Sequence, residues 1–146
     1  MFGNKDKRAA ASDAKGAALA ALRAEVERLE ALPMAQLAAE VMARGFGPGG
    51  YLPSIVGRKP DALVAAYVSD IAQMFEPEGA RDADLYNRLC AVVGEGLQAL
   101  EHESLIWARS LSESSGVSYA PTRRGRAALD ADAVEQTLRG ESAETA

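Results

Sequence analysis

The spacing of the apolar residues is the feature that most restricts the fold of this chain. In several stretches they recur at steps of three and four residues, the period that places side chains on one face of an α-helix. In the first stretch they are Leu19, Leu22, Val26 and Leu29. Only 5% of the residues are aromatic, so Leu, Val and Ala must build the core between the helices. A mainly helical protein is therefore predicted.

The amino-terminal third is predicted to hold an arm and a helical pair within a single domain, which is the usual organisation for 146 residues. Residues 1–12 mix charge with small side chains and are predicted to be a flexible arm. The pair covers 13–44, with Ser12 capping its first helix, Pro33 in the first turn of its second helix and Gly45 as a left-handed end. This pair is expected to offer a surface for a homodimer.

Residues 45–58 are predicted to form a loop, because the glycines and prolines of GFGPGGYLP support neither a helix nor an interior strand. Phe46, Tyr51 and Leu52 are expected to anchor this loop to the core. A third helix is then predicted to open at Pro60 and to bury apolar residues as far as Phe75.

The remainder of the single domain, which ends at residue 140, combines helices with a hairpin. A fourth helix is predicted from Asp82 or Asp84, and the glycines at 94 and 96 either divide it or lie within one longer helix. Residues 105–111 and 117–120 are β-prone and flank a Gly-containing loop, which predicts a β-hairpin. Thr122 should cap a last helix that carries Leu129, Val134 and Leu138, and 141–146 should be a disordered tail.

The fold class predicted from these elements is α+β, mainly α, with about five helices, a C-terminal hairpin and the added N-terminal pair. No stretch approaches the roughly 20 apolar residues that span a bilayer, so no membrane association is expected. The single cysteine cannot form an internal disulfide and lies in an apolar helical pattern. A cytoplasmic location is predicted.

Catalytic residues are hard to nominate in this chain. One His and one Cys are too few for a zinc site, and Cys90 and His102 are roughly 18 Å apart if one helix holds both. Gly45, Gly47 and Gly50 match GxGxxG, but they follow a helix rather than a strand, so a structural loop is favoured over a nucleotide cradle. We expect a protein that is not an enzyme and that uses neither a metal nor another cofactor.

Two short patterns in the C-terminal half carry a family resemblance. The first comprises Leu97, Leu100, Glu101, Leu105 and Ile106; the second comprises Tyr119, Thr122, Gly125, Arg126 and Leu129. Together they resemble the recognition-helix end and the second wing strand of winged-helix bacterial regulators of the MarR and PadR groups. The resemblance covers 82–138 and departs from those groups at Ser104, where they usually have Gly. It implies a winged helix over 59–140 that regulates transcription by binding double-stranded DNA.

The net charge of the chain is −5, so only a local cluster of basic residues could contact DNA. The exposed side of the predicted recognition helix offers Glu95, Gln98, Glu101 and Glu103, and phosphates repel such a surface. DNA contacts are therefore predicted for the arginines of the wing and the following helix, with secondary contacts from a few residues elsewhere. The primary set is Arg109, Arg123, Arg124 and Arg126, and the secondary set is Gln98, Trp107, Lys5, Lys7 and Arg8.

A non-enzymatic adaptor that binds another protein is the alternative interpretation. The acidic helix side and the net charge favour it, and the apolar loop residues Phe46, Tyr51 and Leu52 would then dock the partner. Trp107 is expected either in the core or as a wing contact, with the core favoured. Carboxylate neutralisation of the arginines would favour the adaptor, whereas contiguous positive charge would favour DNA.

Overall fold

A computed structural model of the chain describes residues 3–47, 66–110 and 117–140. These ranges hold six helices and three short strands. In chain order they are α1 (Gly3–Ala31), α2 (Met34–Phe46), β1 (Ala66–Tyr67), α3 (Val68–Gln73), α4 (Ala83–His102), β2 (Ile106–Ser110), β3 (Val117–Pro121), α5 (Arg123–Asp130) and α6 (Val134–Leu138). The predicted class, α+β and mainly α, is confirmed.

The first helix is longer than predicted. It begins at Gly3 and continues through Ser12, so residues 3–12 are helical and the prediction of a helix cap at Ser12 is wrong. The physical reason is the run of alanines that follows Arg8, because Ala has the highest helix propensity. Leu22, Val26 and Leu29 are fully buried, as their spacing predicts, and this part of α1 packs on α4.

The core of the molecule is built on α4, against which α1, α2 and α3 pack. This helix is continuous through Gly94 and Gly96, so the two glycines do not divide it. Gly96 is buried where α4 crosses α2, and a Cβ there would lie 2.8 Å from Cγ2 of Val41. The glycine is therefore a close-packing residue of the helix crossing. Asp82 caps the amino terminus of α4, accepting a 2.9 Å hydrogen bond from the backbone N–H of Leu85.

The second helix ends later than predicted. Gly45 is helical and buried, and α2 continues to Phe46 before Gly47 caps it in an extended rather than a left-handed conformation. The prediction of a left-handed end at Gly45 is wrong because its backbone lies against Ile71 of α3, where a Cβ would be 3.2 Å from the Ile71 side chain. Packing, and not chain reversal, explains this glycine.

The sheet has the order β1-β3-β2, with both pairings antiparallel. The hairpin of β2 and β3 is as predicted, with Trp107 opposite Ala120 and Arg109 opposite Ser118. Residues 66 and 67 form β1 instead of the predicted helix, since Tyr67 pairs with Ser118, and Val68–Gln73 is helical as predicted; residues 60–65 lie outside the described ranges. Sheet pairing with a distant strand overrides the local helical pattern here.

The predicted last helix is two helices. α5 ends at Asp130, and α6 begins at Val134 after Asp132 adopts a positive φ of 51°. Asp tolerates this left-handed conformation better than most residues. The turn allows α6 to pack on α2, and Val134 is buried there.

Several predictions concern residues outside the described ranges. These are the loop over 48–58, the helix start at Pro60, the tip of the hairpin at 112–116 and the tail at 141–146. Within the described ranges, no helix is both long and apolar enough to cross a bilayer.

Candidate nucleic-acid interface

The predicted DNA contacts meet where the hairpin enters α5, and we call residues 122–126 the arginine corner. Leu105, which precedes β2, links the corner to α4. Its N–H donates a 2.9 Å hydrogen bond to the Leu100 carbonyl, and its carbonyl accepts a 3.0 Å hydrogen bond from the Thr122 N–H. A Cβ on Gly125 would lie only 1.7 Å from this same carbonyl oxygen. The first turn of α5 therefore rests directly on the backbone of Leu105, and only Gly fits at position 125.

Thr122 fixes the direction of α5 through its hydroxyl. Its Oγ1 accepts a 2.9 Å hydrogen bond from the Gly125 N–H, which is the capping bond predicted from the sequence. The same hydroxyl donates to the Ser104 carbonyl at 2.6 Å. Ser104 itself has a positive φ of 59°, so the chain leaves α4 through a left-handed conformation, which Gly adopts most readily.

Two of the three arginines in the corner bind the ends of other helices. Arg124 Nη1 donates to the carbonyl of Glu103 at 2.5 Å, just beyond α4, and Arg126 Nη1 donates to the carbonyl of Phe46 at 3.3 Å, the last residue of α2. A cation at a helix carboxyl terminus satisfies free carbonyls and interacts favourably with the helix dipole. Arg123 and Arg124 are exposed and Arg126 is partly buried.

No carboxylate in the described parts of the chain forms an ion pair with Arg123, Arg124 or Arg126. The ion pairs that do form there lie elsewhere, joining Arg28 to Glu25 and Glu40, Arg88 to Glu30, and Arg139 to Glu135. No described carboxylate therefore neutralises the positive charge of the corner, although α4 ends beside it.

The exposed side of α4, which we call the acidic side, comprises Glu95, Gln98, Glu101 and Glu103, of which Glu103 is partly buried. Glu101 lies on the side of the hairpin: burial raises the pKa of Tyr119, and the Glu101 carboxylate raises it further. Gln98 is exposed between carboxylates rather than beside the arginines. The acidic surface that the sequence predicts on this helix is therefore present, since Glu95 and Glu101 are exposed.

The remaining predicted contacts are only partly brought to the corner. Trp107 is half-buried on β2 and is not among the side chains of the core cluster in the described parts of the chain. Arg109 lies on the same strand opposite Ser118, but its side chain is outside what the structure describes. Lys7 and Arg8 are exposed in the first turns of α1; of Lys5 only the helical backbone is described.

Of the three loop residues proposed to dock a partner protein, the structure describes only Phe46. Phe46 is only 1% exposed and is part of the core, so its predicted role as a docking side chain is wrong. Phe46 contacts the core as predicted, but it does so as the last residue of α2 and not as part of a loop. Tyr51 and Leu52 lie outside the described residues.

The groups considered for catalysis do not converge. Because α4 is unbroken, Cys90 and His102 are about 18 Å apart along the helix. Burial raises the pKa of Tyr86, and its hydrogen bond with Cys90 raises it further, so the thiol lies beside a phenol. Among the described residues, no three His, Cys, Asp or Glu side chains come together as metal ligands.

Sequence reasoning missed one feature, a groove of about 610 Å³ between α2, α4 and α6. Its lining residues are Met34, Ala35, Glu95, Gln98, Ala99, His102, Glu103 and Leu138. The exposed apolar residue after Pro33 was the available signal, since Met34 remains 48% exposed at the start of a helix.

Comparison of the chain with protein-family models, with curated proteins and with solved structures finds no match. The geometry of the corner and of the helices around it therefore carries the functional argument.

Proposed function

We propose that this chain is a winged-helix regulatory protein that binds double-stranded DNA through its hairpin and the arginine corner. The order of the elements supports this proposal. From α2 onward the described elements are a helix, a strand, two helices and a hairpin, and β1 pairs with the second strand of that hairpin. This is the order of a winged helix, in which α4 takes the place of the recognition helix and β2 and β3 form the wing.

The observation that carries the proposal is the uncompensated positive charge of the corner. Arg123 and Arg124 stand exposed in the first turn of α5, directly after the wing, and pair with no described carboxylate. Exposed arginines at a helix amino terminus suit phosphate, because backbone N–H groups and the helix dipole add to their attraction. Neutralised arginines would have favoured a protein adaptor instead.

The binding mode that follows is phosphate contact with little base reading. The acidic side of α4 would meet repulsion in a major groove, and Glu95 and Glu101 can accept hydrogen bonds only from the amino groups of bases. Affinity should therefore be weak, strongly dependent on salt and almost independent of DNA sequence.

The test is binding of a fluorescent random-sequence duplex at several salt concentrations, with wild type compared with Arg123→Ala. Because Arg123 bonds no backbone carbonyl, this variant removes charge without disturbing the fold. Its affinity should fall, and the slope of log affinity against log salt should become shallower by about one unit. Arg81→Ala, which removes an exposed arginine far along the chain from the corner, is the matched control and should bind as wild type does. Absence of salt-sensitive binding by wild type at low salt would refute the proposal.

A protein-binding adaptor is the second candidate function, and the acidic side of α4 favours it. Glu95, Gln98 and Glu103 line a groove with apolar walls, a combination that suits a protein ligand better than a nucleic acid. If duplex DNA is not bound, the adaptor becomes the working hypothesis. Binding of a basic amphipathic peptide, lost in Glu95→Lys, would then support it.

A further inference from the structure

The amino-terminal half of α1 extends from the body of the molecule without covering anything. Every residue from Lys7 to Ala17 is exposed, and burial begins only at Ala18. We call residues 3–17 the arm; as a helix it is about 22 Å long. The packed half of the same helix then continues to Ala31.

The arm differs from the rest of the chain in charge and in shape. It contains four basic and two acidic residues, whereas the whole chain has a net charge of −5. The charged residues are Lys5, Asp6, Lys7, Arg8, Asp13 and Lys15. Its apolar side chains are all alanines, so it is a thin, basic helix that can approach another surface closely.

The groove between α2, α4 and α6 has the opposite character. Met34, Ala99 and Leu138 supply apolar surface, Glu95 and Glu103 supply carboxylates, and none of the described lining residues is Lys or Arg. Met34 is one of only two large apolar side chains that are exposed in the described parts of the chain. This surface is therefore acidic at its rim and apolar within.

We propose that the groove receives the arm of a second copy of this chain. Charge complementarity favours this occupant, because the arm is an exposed helical segment with four basic and two acidic residues and the groove offers carboxylates. If each copy gives its arm to the other, the contact is two-fold symmetric and closes as a dimer. The exchange brings basic side chains to the acidic side of α4. It does not depend on DNA binding by the arginine corner.

The test is sedimentation velocity of the full chain over a range of concentrations, at low and at high salt. Wild type should form a dimer that weakens as salt increases, because exposed charges are screened. The arm variant Lys7→Glu/Arg8→Glu and the groove variant Glu95→Lys/Gln98→Lys should each weaken self-association roughly tenfold or more, since like charges then face each other. A chain that carries all four substitutions should dimerise again.

Mixing the two variants sharpens the test. An acidic arm then meets a basic groove and a basic arm meets an acidic groove, so the mixture should form mixed dimers although neither variant pairs with itself. A general charge effect predicts the opposite for the groove variant, because its net charge moves toward zero and non-specific association would increase.

Arg23→Glu is the matched control for the arm, since Arg23 is exposed on the packed half of the same helix. This variant should dimerise as wild type does, and thermal unfolding should show that all variants remain folded. A wild type that stays monomeric at all concentrations, or a dimer that tolerates both charge reversals, would overturn the proposal.

Discussion

The arginine corner and the acidic side of α4 are neighbours on the surface, yet their charged residues serve the structure differently. In the corner, Arg124 and Arg126 donate to the carbonyls of Glu103 and Phe46 at the ends of two helices. On α4, Glu95 and Gln98 are exposed and form no hydrogen bond or ion pair that supports the described fold. A cluster of charge is therefore not by itself evidence of a ligand, because part of it can hold helices together.

The comparison also separates residues within the corner. Arg123 is exposed and bonds no described helix end. Replacing it should therefore change the free energy of unfolding little, and of the three arginines in the corner it is the most available to a phosphate. Arg126 is partly buried, so its charge is available only in part. Among the four arginines predicted from the sequence, Arg123 is thus the main candidate for phosphate contact. Arg124 both stabilises the fold and is exposed to a ligand.

The largest expected effect comes from Gly125→Ala, which tests whether the corner is rigid. Its Cβ would overlap the Leu105 carbonyl at 1.7 Å, so α5 must shift and the Thr122 cap must break. We expect a loss of at least about 3 kcal/mol in the free energy of unfolding, measured by urea denaturation. Gly94→Ala is the control: nothing lies within 4 Å of that position, and in a helix interior Ala should stabilise by about 0.5–1 kcal/mol. Similar stability for both variants would contradict the packing described here.

A second, smaller difference is expected between Arg126→Ala and Arg123→Ala. Loss of the partly buried bond to Phe46 should cost about 1 kcal/mol, whereas the exposed Arg123 should change stability by less than about 0.5 kcal/mol. Thermal and urea unfolding of both variants measure this. If Arg123→Ala were the more destabilising variant, the division of the corner into structural and available arginines would be wrong.

Ser104→Gly should stabilise the protein by about 0.5–1 kcal/mol, because the left-handed backbone at φ 59° strains any residue that has a Cβ. The carbonyl that accepts the Thr122 hydroxyl is retained in this variant. Ser104→Ala keeps the strain and should therefore give no gain. Equal unfolding midpoints for Gly and Ala at this position would show that the connection to the corner is not strained.

The smallest effect is expected on the acidic side of α4. Glu95→Lys/Gln98→Lys should change the free energy of unfolding by no more than about 0.5 kcal/mol, because both residues are exposed and neither holds another element. Circular dichroism and urea unfolding test this directly. A large destabilisation would mean that these side chains support the fold, and the contrast with the arginine corner would fail.

Much of the fold follows from local sequence rules. The buried faces of α1, α2 and α4 are those that apolar spacing predicts, because the spacing within one helix already shows which face packs against the core. The helix start near Asp82, the cap at Thr122 and the hairpin were predicted for the same reason, since each depends on neighbouring residues alone. The extension of α1 to Gly3 should also have been predicted, from its alanines.

Other elements needed contacts between residues that are distant in the chain. Nothing near Tyr67 indicates a strand; its pairing with Ser118 does. Gly45 was predicted to end a helix, and Gly96 either to divide one or to lie within it, but both lie inside helices, where a side chain of a neighbouring helix approaches the backbone closely. Phe46 was assigned to a loop because glycines surround it, whereas its burial depends on the length of α2.

The candidate site divides in the same way. The sequence by itself determined that arginines follow the hairpin and that the preceding helix is acidic, because these properties belong to the residues themselves. Only the tertiary structure decided that Arg126 reaches Phe46, 80 positions away, and that Arg123 remains available. It also decided that Met34 and Leu138 share a groove with Glu95. Such distances depend on how helices cross, and helix crossing is fixed by packing across the whole core rather than by any local stretch of the chain.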